Sequence, residues 1–443
     1  MKYSKKIKLK NTKPKIAIIG GGPMGLGVSY QLAQDGFKSV IFEADDRLGG
    51  MAASFDFKGI NIERYYHFHC LSDKAFFKLL AELNLKNQIK WKRTKMGFFF
   101  KGYLYEWGSP ISVLKFSSIS IIARLRYLFH ALRCLSIRRW DHLDKIPASV
   151  WLKKWLGKNG FDVLWSRLFE YKFYNYKDKI SAAWIWSRIK RLGLSRRKFK
   201  ETLGVLQGGS NKWITKLEKI LREFGVKILL NHPVKKIAIK RNRLKLYTSS
   251  KKIEEFDIVI STVPLPIVGK ILDPDTFSSK LINKYLNQIS IPCVCVILKT
   301  KKKITNNFWT NINDARFSIP GIIEFSNLSD IEPYITYIPF YMPKDRKEYS
   351  RPDEEFVNDS IDCLLALNKD FDKSDVIDSH CSRYEFAQPI SKINHFKNLP
   401  PINPSKNFWT IDTSIYYPED RGVSESIDYG RNIAKKIIES FKT

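Results

Sequence analysis

Two short apolar runs flank an amphipathic stretch near the start of the chain. The segments KIAIIG (residues 15–20) and FKSVIFEA (residues 37–44) each contain an uninterrupted apolar run. Runs of this length bounded by glycine are typical of buried strands. Between them, Pro23 to Gln34 predicts a helix that is stopped by Gly36. The pattern therefore predicts a strand–helix–strand unit.

Three glycines and one acid give this unit a candidate chemistry. Gly20, Gly22 and Gly25 occupy its first turn, where they permit a tight turn, close approach of a pyrophosphate and close helix–strand packing. The helix N-terminus then offers free N–H groups to phosphates. Glu43 follows Gly25 by 18 residues, and a carboxylate there can accept both ribose hydroxyls of an adenosine. Because an acid disfavours a 2′-phosphate, we expect a non-phosphorylated dinucleotide.

Two later parts of the chain repeat the alternation of strand and helix. After Gly208 and Gly209 the sequence predicts a helix, then strands at HPVKKI and FDIVISTVPLP. Near the C-terminus, NFWTIDT predicts a strand ending at Asp412, and a helix follows. The apolar faces comprise Trp213, Leu217, Ile220 and Leu221 in the first helix and Ile427, Gly430, Ala434, Ile437 and Ile438 in the second.

A second glycine pair indicates which dinucleotide is bound. The pattern E-x-x-x-R-x-G-G, formed by Glu43, Arg47, Gly49 and Gly50, resembles the motif of the flavin-dependent amine oxidase superfamily. The resemblance implies FAD, with Arg47 and the glycine backbone at the pyrophosphate and the chain leading under the flavin. Met51 belongs to this cofactor-binding stretch, although many members carry Arg or another polar residue there.

The resemblance also assigns cofactor contacts in the later segments. It implies that Val234 meets the adenine through its backbone and that Asp412 reaches the ribityl chain. Gly422 and Val423 take the places at the helix N-terminus that points at the flavin pyrimidine. A positive helix end at that point would favour negative charge on the flavin.

The expected fold is α/β and discontinuous. A Rossmann-type FAD-binding domain is built from residues 14–70, 200–266 and 400–443. Residues 71–199 and 267–399 form an inserted α+β substrate domain. The first insertion is predicted to be mostly helical, and the second contains strand-like runs.

Two further stretches narrow the resemblance and leave two functions open. GINIERYYHFHCLSD and YYPEDRG look like those of protoporphyrinogen-oxidase-like flavoproteins, often tied to envelope polysaccharide metabolism. We expect an FAD-dependent oxidoreductase that oxidises or desaturates a hydrophobic or lipid-linked substrate, such as an isoprenoid or glycolipid. The first stretch also loosely resembles UDP-galactopyranose mutase, so a non-redox sugar mutase is the alternative. A protein that keeps FAD only for structure is disfavoured by the full set of cofactor contacts.

Candidate catalytic side chains follow the cofactor motif. His67 and His69 alternate as on a strand, so both would point to one face and could act as a base beside the flavin. The alternative is that one histidine packs in the core and the other lies on the surface. The arginine-rich stretch Arg188–Lys198 suits phosphates or forms a solvated helix face. No second G-x-G-x-x-G is present, so we expect the substrate itself to reduce the flavin.

The net charge and the cysteine content limit the kinds of partner and metal that we expect. The 443 residues carry 76 Lys+Arg against 44 Asp+Glu, a net charge of +32, which favours anionic partners such as a membrane face or a phosphorylated substrate. No nucleic-acid motif supports nucleic-acid binding, so none is expected. The six cysteines and the histidines lack zinc spacing. We therefore expect free thiols in a reducing cytoplasm and no metal.

One segment predicts contact with a membrane surface. Ile111–Trp140 mixes large apolar side chains with Lys and Arg and has no window of about 18 uncharged apolar residues. A helix of this kind can lie in the lipid interface. A buried apolar core with solvated arginines is the alternative. The basic residues 1–15 lack the apolar stretch of a secretory signal, and the expected location is cytoplasmic, peripheral on the inner membrane face.

Overall fold

The computed structural model describes residues 13–197, 200–241, 243–249 and 253–442. The N-terminal dozen residues, most of the stretch considered as a signal, and Lys198 of the arginine-rich stretch lie outside these ranges. The helices, in chain order, are α1 Pro23–Gln34, α2 Lys74–Glu82, α3 Pro110–Lys115, α4 Ile121–Ser136, α5 Ala148–Leu164, α6 Ser166–Phe173, α7 Ala182–Leu194, α8 Gly209–Glu223, α9 Leu265–Ile271, α10 Ser279–Leu286, α11 Ser326–Ser329, α12 Asp353–Leu367, α13 His395–Asn398 and α14 Val423–Lys442. The strands are β1 Ile16–Ile19, β2 Ser39–Phe42, β3 Ser54–Asp56, β4 Asn61–Glu63, β5 Ile89–Arg93, β6 Met96–Phe100, β7 Tyr103–Trp107, β8 Arg196–Arg197, β9 Lys200–Leu206, β10 Lys227–Leu229, β11 Val234–Lys240, β12 Arg243–Thr248, β13 Ile253–Phe256, β14 Ile258–Ser261, β15 Ser290–Thr300, β16 Trp309–Ile312, β17 Gly321–Glu324, β18 Tyr334–Tyr341, β19 Val376–Pro389 and β20 Phe408–Thr410.

A five-stranded parallel sheet of order β10-β2-β1-β14-β20 forms the centre of one half. Alternate residues of its strands face opposite layers, because side chains of a strand alternate in direction. Ile16 and Ile18 pack under α1, α8 and α14. Ala17 and Ile19 pack towards the β11–β13 sheet and the helices α9 and α10. This sheet confirms the predicted α/β, Rossmann-type architecture.

The other half is built on a seven-stranded sheet of order β19-β15-β18-β17-β16-β6-β7. Its central strand β15 is buried on both faces. Cys293 and Cys295 face the helices α5, α6 and α7, whereas Val294 and Val296 face α12. The sheet combines antiparallel pairs with the parallel pair β16–β6, as expected for an inserted α+β domain.

Some helices pack across the division drawn from the sequence. α2 packs on α14, and its Phe76, Leu79 and Leu80 join the core under the parallel sheet. Leu265 and Tyr285, from α9 and α10, join the core on the other face of that sheet. The exact boundaries of the two domains therefore stay a prediction.

The structure also bears on membrane spanning, thiols and metal binding. Within the described residues, no helix combines the length and the hydropathy that crossing a bilayer requires. All six cysteines carry free thiols. In the described part of the chain, no cluster of His, Cys, Asp and Glu is suited to hold a metal ion.

Helix α1 approaches its neighbours at glycines on two sides. A Cβ on Gly25 would clash with the carbonyl oxygen of Gly20 in the first turn. On the opposite side, a Cβ on Gly27 would lie 2.9 Å from the carbonyl oxygen of Ile427, and a Cβ on Gly430 would clash with the carbonyl oxygen of Met24. The sheet, α1 and α14 are thereby held in direct backbone contact.

We expect Gly430→Val to lower the free energy of unfolding by about 2 kcal/mol or more, because the added side chain meets backbone atoms that cannot move aside. Lys435→Val, at an exposed position of the same helix, is the matched control and should cost less than about 1 kcal/mol. Urea unfolding of both variants measures the difference. Equal losses would show that α1 and α14 are not held this closely.

Candidate active site

A single cavity of about 1720 Å³ runs between the two halves of the molecule. Its lining includes the β1–α1 turn and Glu43 from one half, and residues of α4 and α7 from the other. The volume exceeds the roughly 300–1,000 Å³ of a site for one drug-sized ligand. The cavity therefore has room for a dinucleotide and a substrate together.

The phosphate turn has the geometry expected for a dinucleotide. Gly20 has φ +103°, a left-handed conformation that favours glycine. A Cβ on Gly22 would meet no atom within 4 Å, so this backbone is open to a ligand on the cavity side. The N–H groups in the first turn of α1 have no partner within the helix. Together these features form a cradle for a pyrophosphate.

Glu43 lies at the end of β2 and borders the cavity. Its Oε2 accepts a hydrogen bond from the Gly21 N–H at 2.6 Å, and its Oε1 accepts one from the Asp45 N–H at 2.9 Å. Burial raises the pKa of this carboxyl. Each carboxylate oxygen has a second lone pair, so the fixed carboxylate can still accept ribose hydroxyls. The residues at this end fit an adenine dinucleotide.

The second glycine pair is only partly on the cavity wall. Gly50 and Met51 line the cavity, while Gly49, with φ +112°, shapes the turn behind them. Arg47 is not among the described residues that line the cavity. Its guanidinium is held by Asp46 and by the Ser54 carbonyl at 2.9 Å. This half-exposed side chain takes the nearest acceptors, so the geometry gives its predicted pyrophosphate contact no support.

The remaining predicted cofactor residues meet at the same cavity. Val234, Asp412, Gly422 and Val423 all line it, although Val234 lies far along the chain from the other three. Asp412 accepts hydrogen bonds from the Leu265 N–H at 3.0 Å and the Ser414 N–H at 2.8 Å. These bonds fix its carboxylate at the end of β20. The assignment of each residue to one part of FAD stays a prediction.

The two histidines differ in their surroundings. Both line the cavity, but residues 64–68 are not part of a strand. His69 is buried, stacks on Phe76 with ring centroids 4.3 Å apart, and places Nδ1 3.8 Å from Asp73. His67 Nδ1 is buried and has no hydrogen-bond partner among the described residues. Burial lowers the pKa of His67 to about 4, so its ring is uncharged at neutral pH.

Three basic side chains lie together on the cavity wall, and the sequence analysis singled out one of them, Arg188. Lys172, Arg188 and Arg421 come from α6, α7 and the segment before α14, and all three line the cavity. We call this cluster the basic corner. Arg188 belongs to the arginine-rich stretch, but nothing in the local sequence signals that Lys172 and Arg421 would join it, because the contact spans about 250 residues.

Comparisons with known proteins agree with this site. The sequence profile of the family "Flavin containing amine oxidoreductase" matches residues 25–384. The chain is 21% identical over 424 residues to a chloroplastic/chromoplastic 15-cis-phytoene desaturase of Arabidopsis thaliana, covering 88% of this chain and 73% of that protein.

Solved structures share the fold over nearly the whole chain. A candidate protoporphyrinogen oxidase from Exiguobacterium sp. 255-15 superposes with a TM-score of 0.75 at 16% identity, covering 98% of this chain and 100% of the other. A reduced UDP-galactopyranose mutase superposes with a TM-score of 0.76 at 17% identity, covering 96% of both chains.

The fold and the cavity define a flavin-dependent oxidoreductase with FAD as its cofactor. The chain belongs to the flavin-containing amine oxidoreductase family, whose profile spans most of its length. The predicted resemblance, fold class and cofactor are thereby confirmed.

We expect Glu43→Arg to lower the FAD content of the purified protein strongly, because the ribose acceptor is replaced by a cation in a buried position. Glu223→Arg, the same change at the exposed end of α8, is the control. The FAD released on denaturation measures occupancy. Full occupancy in Glu43→Arg would contradict the placement of the ribose.

The two histidine variants should separate a catalytic from a structural role. If His67 accepts the substrate proton, His67→Ala should lower kcat about 100-fold without loss of FAD. His69→Ala should chiefly lower the melting temperature, because it removes the stacking on Phe76. Since the neutral form of His67 accepts the proton, wild-type kcat/KM should hold as pH falls and halve only near pH 4. An unchanged kcat in His67→Ala would assign the proton transfer elsewhere.

Proposed function

We propose that the enzyme oxidises or desaturates a long apolar or lipid-linked substrate, such as an isoprenoid or glycolipid, that enters from an anionic membrane surface. The observation that carries this proposal is the position of α4. Leu128, Leu132 and Leu135 of this helix line the cavity that begins at the dinucleotide turn. A substrate leaving lipid at this helix would reach the cofactor without crossing water.

The outer side of α3 and α4 is apolar and exposed. Ile122 is 66% exposed and Phe129 is 59% exposed. We call this surface the apolar face; its large exposed side chains are Ile111, Leu114, Ile121, Ile122, Leu125, Phe129, Leu132 and Leu135. Exposed apolar patches of this size on a protein surface mark contacts with partners or membranes. Other side chains of the same segment, Phe116, Ile119 and Ala123, join a buried cluster, so the segment contributes both to the core and to the exposed surface.

Cations surround the apolar face. Lys115, Arg126, Arg133, Arg138 and Arg139 are exposed on or beside the two helices. Anionic lipid attracts each nearby cation by about 1 kcal/mol. Such a combination of apolar and basic side chains suits a helix that lies in the interface, and the inner face of the membrane supplies the anionic lipid. The similarity to a phytoene desaturase is in keeping with an apolar substrate.

Different residues of the cavity serve different parts of the proposed reaction. Bound FAD supplies the hydride acceptor. The dinucleotide turn and Glu43 hold the cofactor, while the leucines of α4 give the cavity wall an apolar surface for the substrate. His67 is the neutral group on the wall that can take up the proton released on oxidation. This arrangement supports oxidation by the removal of a hydride and a proton.

A sugar mutase that uses flavin without net oxidation is the second candidate. The superposition on UDP-galactopyranose mutase shows the fold alone, but the basic corner offers charges that suit a nucleotide diphosphate. The apolar face favours the first proposal, because a water-soluble nucleotide sugar has no need of a membrane-facing entrance.

We expect the FAD-loaded protein to co-sediment with vesicles that contain anionic lipid, and to release as the salt concentration rises. The double variant Ile122→Glu/Phe129→Glu should lose most of this binding, because it places two carboxylates on the apolar face. Phe224→Glu, a matched change at an exposed phenylalanine, should bind as the wild type does.

Two outcomes would overturn the membrane-loading proposal. One is failure of the wild type to bind either neutral or anionic vesicles. The other is equal binding by wild type and the double variant, which would place the membrane contact away from the apolar face.

A further inference from the structure

We propose that the basic corner is an anion-binding subsite, which holds a carboxylate or phosphate group of the substrate while its apolar part fills the remaining cavity. This inference rests on the proposed apolar substrate and adds the chemistry of its polar end. The subsite would fix the position of the apolar chain along the cavity and so select the bond that reacts.

Lys172 is the most unusual member of the basic corner. Its residue is only 6% exposed, and Nζ lies among the rings of Tyr341, Trp184 and Phe173, at 5.1, 5.3 and 6.0 Å from their centroids. Among the described residues, no carboxylate pairs with this ammonium. The charged side chains that act most on the pKa of Lys172 are Arg188 and Arg421, and both carry a positive charge.

The two arginines leave the cluster with an excess of positive charge. Arg188 pairs with Asp420. Arg421 donates to the Gln388 side-chain oxygen and to the Tyr341 hydroxyl, the latter at 2.9 Å. Asp420 also accepts from Gln388 Nε2 at 3.1 Å. Asp420 thus lies within ion-pair distance of the two arginines, and among the described residues no carboxylate balances the third positive charge, that of Lys172.

Such a cluster is costly in the interior unless an anion joins it. A buried charge without a partner is strongly unfavourable. Burial, reinforced by Arg188 and Arg421, lowers the pKa of Lys172 well below its usual range. Burial also lowers the pKa of Arg188 to about 10. An anion on the cavity side would accept charge-assisted hydrogen bonds from these groups. A bound anion would therefore offset the cost of burying three basic side chains together.

The same electrostatics predicts proton uptake on binding. Arg188, Arg421 and the Cys293 and Tyr341 side chains surround Lys172. A bound anion raises the pKa of Lys172 from its lowered value. Between the two values, binding brings in a proton, so affinity for an anion should rise as pH falls through that window. Affinity for a neutral ligand should not change.

Three probes with the same ten-carbon chain test the subsite on the FAD-loaded protein: decanoate, decyl phosphate and decan-1-ol. Binding is followed by calorimetry in two buffers of different ionisation enthalpy. At least one anion should bind about 10-fold or more tightly than the alcohol, as expected for charge-assisted hydrogen bonds. The preferred anion identifies the group as carboxylate or phosphate.

Lys172→Met should remove most of the preference for the anion over the alcohol and should abolish the proton uptake on binding. The affinity for decan-1-ol should not fall. Lys177→Met, at an exposed position a few residues further on, is the matched control and should leave both unchanged. If Lys172→Met fails to fold, Arg188→Gln provides the same comparison. FAD content and melting temperature are measured for every variant.

The outcomes separate this inference from the proposed function. Equal affinity of wild type for the alcohol and both anions would overturn the subsite and leave the apolar cavity intact. A preference that survives Lys172→Met in a folded protein would place the subsite elsewhere. If the variants lose FAD in proportion to their loss of affinity for decanoate, the basic corner binds the anionic part of the cofactor and not the substrate. Failure of all three probes would overturn both the subsite and the apolar substrate.

Discussion

The backbone contact of α1 with its two neighbours is the constraint on which the active site depends. Glycine on both sides lets α1 lie against the first turn and against α14 at the same time. Because α14 is thereby fixed, Gly422 and Val423 at its start meet the cavity that also contains the phosphate turn. A larger residue at these contacts would separate two elements that are about 400 residues apart in sequence.

The cavity then joins two environments of opposite character. Part of its lining consists of fixed hydrogen-bonding groups, with Glu43 as an oriented acceptor. Another part consists of leucines of α4, a helix that also carries exposed apolar side chains. The basic corner lies on the same cavity wall. The chain has a net charge of +32. Two groups of its basic side chains are the exposed cations beside the apolar face and the buried basic corner around Lys172.

Local patterns in the sequence predicted what depends on local contacts. The βαβ unit, the helix after Gly208 and the C-terminal helix were predicted because their apolar spacing and glycine positions are encoded over short stretches. Arg47 instead hydrogen-bonds Asp46 and the Ser54 carbonyl, and its contact with the pyrophosphate stays a prediction. The apolar spacing of α4 predicted an amphipathic helix but left open whether that side faces a core or a membrane.

The residues around Lys172 were hidden for a different reason. A lysine within an aromatic stretch gives no sign of burial, since most lysines are solvated. Its environment arises only when α6, α7, β18 and the segment before α14 pack together. Likewise, the alternation of His67 and His69 suggested equivalent roles, but packing on Phe76 and Asp73 distinguishes His69 from His67.

The most direct test of the account is anaerobic mixing of the FAD-loaded protein with isoprenoids and lipid-linked sugars carried in anionic vesicles. The measured quantity is the visible absorbance of the oxidised flavin. The account predicts that one such substrate alone removes this absorbance, and that the Ile122→Glu/Phe129→Glu variant does so more slowly. Turnover that occurs only after prior chemical reduction, with the substrate rearranged rather than oxidised, would contradict the account and establish mutase chemistry instead.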